Sequence, residues 1–262
     1  MSKGILHSLK GRMLGLAADQ SLVVPRGVRV GGCGKQIRLP GLDWEGEWYD
    51  FTGDVLPDQV NFIEGTGTNA TFAIVEGRPS HADLVTGATA GTMAADGAIL
   101  NTVLSYRADS CGLSFLTRLT LSALTKISVF AGFTDDKSTV EAPAHAASGT
   151  TFTTTATDAV GFLFDSTLTA AYWHQVGVKN NTDAAIASLG VAPTAATYQW
   201  LQVDVDADGN ATFYINGIQV GPKLASAATK TVAMTPVIAV WPRTTSARTI
   251  SIDAFGAWQA RV

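Results

Sequence analysis

Charge is scarce in this sequence: only 15% of its 262 residues are Asp, Glu, Lys or Arg. So low a share points either to a surface partly covered by neighbours or to a weakly charged secreted protein. Cysteine is scarcer still, with Cys33 and Cys111 alone, which excludes a disulfide framework and leaves no CxxC metal or redox spacing. Each is expected to be a buried free thiol. No apolar run is long enough to span a membrane, so no membrane partner is expected. Near the start Ile5, Leu6, Leu9, Leu14 and Leu16 are interrupted by His7, Lys10 and Arg12, so no signal peptide is expected and cytoplasmic synthesis is the default. Helical periodicity is almost missing as well.

What is present is period-two patterning. In Tyr198 to Val220, Leu201, Val203 and Val205 alternate with Gln202, Asp204 and Asp206, and Ala211, Phe213 and Ile215 alternate with Thr212, Tyr214 and Asn216. Such alternation puts the apolar set on one sheet face. Asp208-Gly209-Asn210 and Asn216-Gly217 supply the tight turns that join these strands to each other and to a third. Leu113 to Leu121 alternates in the same way. Further strands are expected near residues 61–63, 70–76, 98–106, 127–133, 159–164, 173–179, 231–241 and 249–260, with Pro143 to Thr157 and Thr182 to Thr197 as rim loops. Trp44 to Phe51, with four aromatics in eight residues, reads as an opening strand packed over the core, or else as a carbohydrate platform.

Regularly spaced strands of this kind predict an all-β protein, a two-sheet antiparallel β-sandwich or jelly roll occupying residues 42–262. Residues 1–41 are different in kind. They hold seven basic side chains (Lys3, Lys10, Arg12, Arg26, Arg29, Lys35, Arg38) against one acidic, Asp19, for a net of +6, which leaves eleven basic and twenty-one acidic residues, −10, in the rest. They read as an extended N-terminal arm that docks on an acidic surface, including that of neighbouring copies, or as a solvated tail. Because its cations are dispersed among Gly, Leu and Val and no aromatic lies between them, no nucleic-acid partner is expected.

With the strands laid out, Leu113 to Ala260 resembles the concanavalin A-like jelly roll of lectins, laminin-G domains and glucanases. The resemblance is carried by Tyr198-Gln199-Trp200-Leu201-Gln202-Val203-Asp204, by Ala211-Thr212-Phe213-Tyr214-Ile215-Asn216-Gly217 and by Ile250-Ser251-Ile252-Asp253-Ala254-Phe255-Gly256-Ala257-Trp258. A narrower similarity, to tailed-bacteriophage virion proteins built on this jelly roll, rests on Val129 to Asp135, Pro143 to Ala147, Asp158 to Asp165 and Tyr172 to Val178. It implies a homo-oligomer, commonly a trimer, in a virion made in the host cytoplasm. The expected role is a capsid decoration (cement) protein whose arm, through its seven cations, meets the major capsid protein or other virion proteins. A tail, collar or head-fibre component, or a carbohydrate-binding module recognising host glycans, is the alternative.

Chemistry is harder to find. Asp204, Asp206, Asp208 and Gly209 begin like a calcium loop, but Ile215 stands where a bidentate Glu is required. The laminarinase-type branch of the superfamily draws its carboxylates from a Glu-x-Asp-x-(x)-Glu strand. Glu45 and Glu47, the only glutamates two residues apart, lie outside the segment that carries the resemblance. His7, His81, His145 and His174 are scattered, without a Gly-x-Ser-x-Gly elbow, and Gly87 to Gly97 holds no phosphate loop. The expectation is therefore no enzyme, with no catalytic, cofactor or metal site.

Overall fold

The computed structural model describes residues 44–51, 60–67, 69–76, 80–102, 105–136, 142–148, 151–183 and 186–260. The basic segment 1–41, with Lys3, Lys10, Arg12, Arg26, Arg29, Lys35 and Arg38, lies outside them. In chain order the elements are β1 (Trp44–Tyr49), β2 (Val60–Glu64), β3 (Thr71–Val75), β4 (His81–Val85), one helical turn α1 (Met93–Asp96), β5 (Ala98–Thr102), β6 (Leu113–Leu121), β7 (Ile127–Thr134), β8 (Ala144–Ser148), β9 (Thr151–Thr154), β10 (Ala159–Asp165), β11 (His174–Lys179), β12 (Thr182–Asp183), β13 (Ala187–Ser188), β14 (Gln199–Val205), β15 (Ala211–Ile215), β16 (Ile218–Leu224), β17 (Thr235–Pro242) and β18 (Thr249–Ala260).

Apart from β8 and β9, which pair with each other, the strands form two antiparallel sheets. The first runs β16-β15-β14-β6-β18-β4-β3, with β1 also paired to β18; the second runs β12-β11-β10-β7-β17-β5-β2, with β13 also on β11. Alternate residues of both sheets meet between them: Phe115 and Leu119 of β6, Val203 of β14, Phe213 of β15 and Phe255 of β18 face Phe133 of β7, Phe162 and Phe164 of β10 and Val240 of β17. Phe115 packs edge-on against both Phe133 and Phe255, and Phe162 against Phe213. This is the sandwich that the alternation predicts.

The second sheet is covered on its other face too. Phe130, Leu163, Val176, Val237, Ala239 and Trp241 join a separate apolar cluster with Ala142, Ala144, Ala156 and Phe152, contributed by the hairpin β8–β9 and its flanks. Burial on both sides explains why β7, β10 and β17 are nearly continuous apolar runs, ISVFAGFT, AVGFLFD and PVIAVWP, whose residues are all buried.

That hairpin corrects one expectation. Pro143 to Thr157 is no rim loop, because β8 and β9 pair with each other and Ala144 and Ala146 are fully buried. Within Thr182 to Thr197, β12 and β13 add two short edge pieces to β11. The tight turns are as expected: Gly209 has φ +82, and Asn216 and Gly217 have φ +52 and +78, the left-handed pair that a two-residue hairpin requires. Asp206 closes the first turn by accepting from the backbone N–H of Asp208 and of Asn210, both at 2.9 Å, and from Lys223 Nζ at 2.6 Å. The acidic stretch is thus a turn device.

Candidate functional site

The outer face of the first sheet collects aromatic rings around one ion pair. Trp200 of β14 and Arg118 of β6 are register partners, and Arg118 is also opposite Ala254 of β18. Between Ile252 and Ala254 the β18 register shifts, leaving Asp253 as an extra residue. Such a bulge redirects side chains, and here Asp253 Oδ2 accepts from Arg118 Nη1 at 2.6 Å. The guanidinium also sits 4.5 Å from the ring centre of Tyr198 and 6.0 Å from that of Trp200, within cation–π range. Burial first, and then the Asp253 carboxylate, push the Tyr198 phenol above its ordinary pKa, with Arg118 opposing.

Trp48 of β1 completes the group. It is opposite Gly256 of β18, and a Cβ at Gly256 would come within 2.7 Å of Trp48 Cε3, so the indole lies over the glycine. From there it stacks on Trp200, with centroids 6.2 Å apart and planes inclined by 17°. Leu116, the register partner of both Gly256 and Gln202, points to the same face and is only 2% exposed, whereas Trp48 is 48% exposed. The expectation that the Trp-rich opening strand packs over the core holds for Tyr49, stacked on Phe255, but not for Trp48. Alternation marks Arg118 as outward-facing; its aromatic neighbours follow only from long-range register.

A second polar cluster lies on the outer face of the second sheet, beneath β8–β9. Asp165, with no exposed surface, accepts from Ser128 Oγ at 2.8 Å, from the backbone N–H of Ala146 at 3.1 Å and from the N–H and hydroxyl of Thr167 at 3.0 and 2.8 Å. Arg243 Nε is 3.4 Å from it, and Arg243 Nη2 donates to the Ala146 carbonyl at 2.6 Å. His145 and His174 share this region. Burial lowers the pKa of both; Arg243 lowers that of His145 further, while Asp165 opposes the shift in each. His174 is a packed histidine, its ring 5.7 Å from that of Phe152.

Other residues singled out in the sequence separate in space. Glu47 accepts from the Tyr49 hydroxyl at 2.5 Å, and nothing is described of the Glu45 side chain. Cys111 is disulfide-bonded, which corrects the expectation of a free thiol; Cys33 lies outside the described residues. Among the described residues no group of three or more His, Cys, Asp or Glu is arranged to hold a metal ion.

No protein-family model matches the chain. No curated protein matches it either. Solved structures do. The chain is similar to the carbohydrate recognition domain of Emp47p, with a TM-score of 0.55 at 9% identity over 81% of this chain and 94% of that one. It is similar to a β-glucanase of Bacillus licheniformis, with a TM-score of 0.55 at 11% identity over 83% and 98%. The catalytic domain of an endo-1,3-β-glucanase (laminarinase) from Thermotoga petrophila gives a TM-score of 0.55 at 12% identity over 84% and 99%. These neighbours correct the expectation that the chain is no enzyme, since its fold is one that glucanases and lectin domains share. At these identities the likeness is one of fold, and the fold is the concanavalin A-like jelly roll.

Proposed function

We propose that the chain is a surface-binding subunit of a tailed-bacteriophage virion, most specifically a capsid decoration protein. In this reading the jelly roll faces outward as a symmetric homo-oligomer, a trimer being the expected form. The basic segment 1–41 engages the major capsid protein or another virion protein. One observation carries the reading on the structural side: the outer face of the second sheet is filled by the chain's own β8–β9 hairpin, while on the outer face of the first sheet the Trp48 indole is exposed beside the part-exposed Arg118. An exposed aromatic beside an arginine is the kind of surface that docks on another protein. The +6 charge of residues 1–41 against −10 elsewhere supports the arm's part in it.

The experiment compares the full chain with a full-length variant in which Lys3, Lys10, Arg12, Arg26, Arg29, Lys35 and Arg38 are replaced by Ser, in a sedimentation assay on undecorated capsids. Saturable, salt-sensitive binding by the natural chain and its loss in the variant are expected. Undiminished binding by the variant overturns the arm's role, and absence of binding by the natural chain overturns the capsid assignment. A second reading, a tail, collar or head-fibre component or carbohydrate-binding module that touches host glycans, is favoured by the exposed Trp48 indole stacked on Trp200.

A further inference from the structure

Cys111 is held in a disulfide, and the sequence contains one other cysteine, Cys33. We propose that Cys33 and Cys111 of the same chain form one bond, a redox-controlled tether that roots the basic segment on the end of the sandwich. The bond stands apart from the capsid reading; only its effect on docking rests on that reading.

The topology brings the two cysteines within reach. Glu45 of β1, Gln259 of β18 and Leu113 of β6 form one register row across three strands, and Leu113 follows Cys111 by two residues. With strands about 4.8 Å apart, two spacings put the start of β6 roughly 10 Å from the point where the chain enters β1. Trp44, the first residue of β1, lies eleven positions after Cys33, and a chain of that length reaches up to about 36 Å. The gap is therefore bridged without moving either sheet. So short a connection gives an effective concentration on the order of millimolar, and a second copy of the chain at lower concentration does not compete with it.

Cys111 itself is placed for such a bond. It sits in the turn before β6, where the Gly112 N–H donates to the Ala108 carbonyl at 2.6 Å, and it is only part-buried. Its φ of +82 lies in the left-handed region that favours glycine, and Gly112 follows at φ +92. A thiol that merely packs gains little there in return for the backbone cost; a covalent bond does. Cys33 stands between Gly32 and Gly34, so neither neighbouring side chain obstructs the approach of a second sulfur.

The reaction needs an oxidant, which a low-molecular-weight disulfide such as glutathione disulfide supplies. The thiolate of one cysteine attacks it, forming a mixed disulfide and releasing one small thiol; the other cysteine then displaces the second. Two protein thiols are oxidised, one small disulfide is reduced to two thiols, and the two cysteine protons end on the thiols released. In a reducing compartment the exchange runs backwards, and residues 1–43 are joined to the sandwich by the peptide chain alone. Closure leaves residues 1–32 beyond the bond, with Lys3, Lys10, Arg12, Arg26 and Arg29 against Asp19, a net of 5 − 1 = +4. These cations then start from the end of the sandwich that carries Cys111, which sets the end of the body that meets an acidic partner surface.

The test equilibrates the full-length protein in glutathione buffer with the disulfide in excess, blocks free thiols with iodoacetamide and digests with trypsin without reduction. One cross-linked pair is expected, residues 30–35 joined to residues 108–118, separating on reduction, from a protein that migrates as a single chain on a non-reducing denaturing gel. In urea denaturation dithiothreitol is expected to lower the midpoint. Cys33→Ser and Cys111→Ser are expected to lower it by the same amount, and dithiothreitol to add nothing in either variant, because each treatment removes the same bond. Alkylation of both cysteines in the folded protein under these conditions overturns the proposal. A covalent dimer, or a cross-link between two copies of residues 108–118, assigns the bond to a second chain and overturns it too. A cross-linked protein whose midpoint ignores dithiothreitol overturns the tether. None of these readouts involves a capsid, so their failure leaves the capsid assignment to its own sedimentation assay.

Discussion

Asp165 and Arg243 face each other at 3.4 Å on the outer side of the second sheet, and both also bind Ala146 of β8, Asp165 through its backbone N–H and Arg243 through its carbonyl. The pair is thus the polar fastening between the sheet and the hairpin that covers it. Apolar contacts of Phe152, Ala144 and Ala156 with Phe130, Leu163, Val176 and Trp241 surround it. Removing Arg243 leaves the fully buried Asp165 with its neutral hydrogen bonds but without a counter-charge. Loss of one partner of a buried pair costs about 3 kcal/mol or more. Arg243→Met is expected to destabilise the protein by that order in urea denaturation and to speed hydrogen exchange across residues 144–154. The double variant Arg243→Met/Asp165→Asn is expected to recover part of the loss, because the unpaired charge goes with it. A single variant as stable as the natural chain contradicts this account.

The same cluster makes stability depend on pH. His145 and His174 are held below the ordinary histidine pKa chiefly by burial, so the unfolded chain takes up protons first as the pH falls. Above about pH 7 both states are neutral at these positions and nothing is lost; below about pH 6.5 stability declines until the folded-state pKa is passed. Asp206 acts in a lower window. Burial raises its pKa, but Lys223, Asn210 and the N–H of Asp208 outweigh that and hold it at about 2, against 3.8 for the free carboxyl. Its contribution is present above the unfolded value and disappears as the pH falls through the folded one. Urea midpoints are expected to drop between pH 7.5 and 5.5, less steeply in His145→Gln, and to drop again between pH 4 and 2, less steeply in Asp206→Asn. A midpoint constant from pH 7.5 to 5.5 removes the histidines from the account.

How much of this was legible in the sequence depends on how many faces each strand buries. β6, β14 and β15 sit in the sheet whose outer side is partly open, so their inward residues alternate visibly with Arg118, Trp200 and Tyr214. β7, β10 and β17 announce themselves as strands but not which side chain faces where, because both faces are apolar. The hairpin β8–β9 was hidden: AHAAS and TFTT have weak strand propensity, and what orders them is the surface of the second sheet, not their own pattern. β4, HADLV, was hidden by its polar outward residues His81 and Asp83. Arg118, Asp253 and Trp48 come from β6, β18 and β1, and only the β18 bulge and the pairing of Trp48 with Gly256 bring them together. No local pattern encodes such register.

One local pattern does carry a sharp consequence. Gly132 of β7 and Gly161 of β10 are register partners at the centre of the second sheet, where β-branched and aromatic residues would otherwise be favoured. Neither glycine has a positive φ, so conformational freedom is not what the site requires. Space is. A Cβ on Gly132 would fall against the carbonyl oxygen of Val160 and the Cα of Gly161, and one on Gly161 against the carbonyl oxygen of Ala131. The obstruction is backbone on both sides and cannot rotate away, so even alanine must push β7 and β10 apart. Phe130, Ala131, Val160 and Phe162, which lie in or next to this crossing, would have to move with them. Overpacking a dense interior costs roughly 1 to 3 kcal/mol where side chains can yield, and backbone yields less. Gly132→Ala and Gly161→Ala are therefore each expected to lower stability by about 2 kcal/mol or more in urea denaturation, and Gly132→Val to prevent folding. Alanine at either position with an unchanged urea midpoint shows that the two strands are not in such close contact.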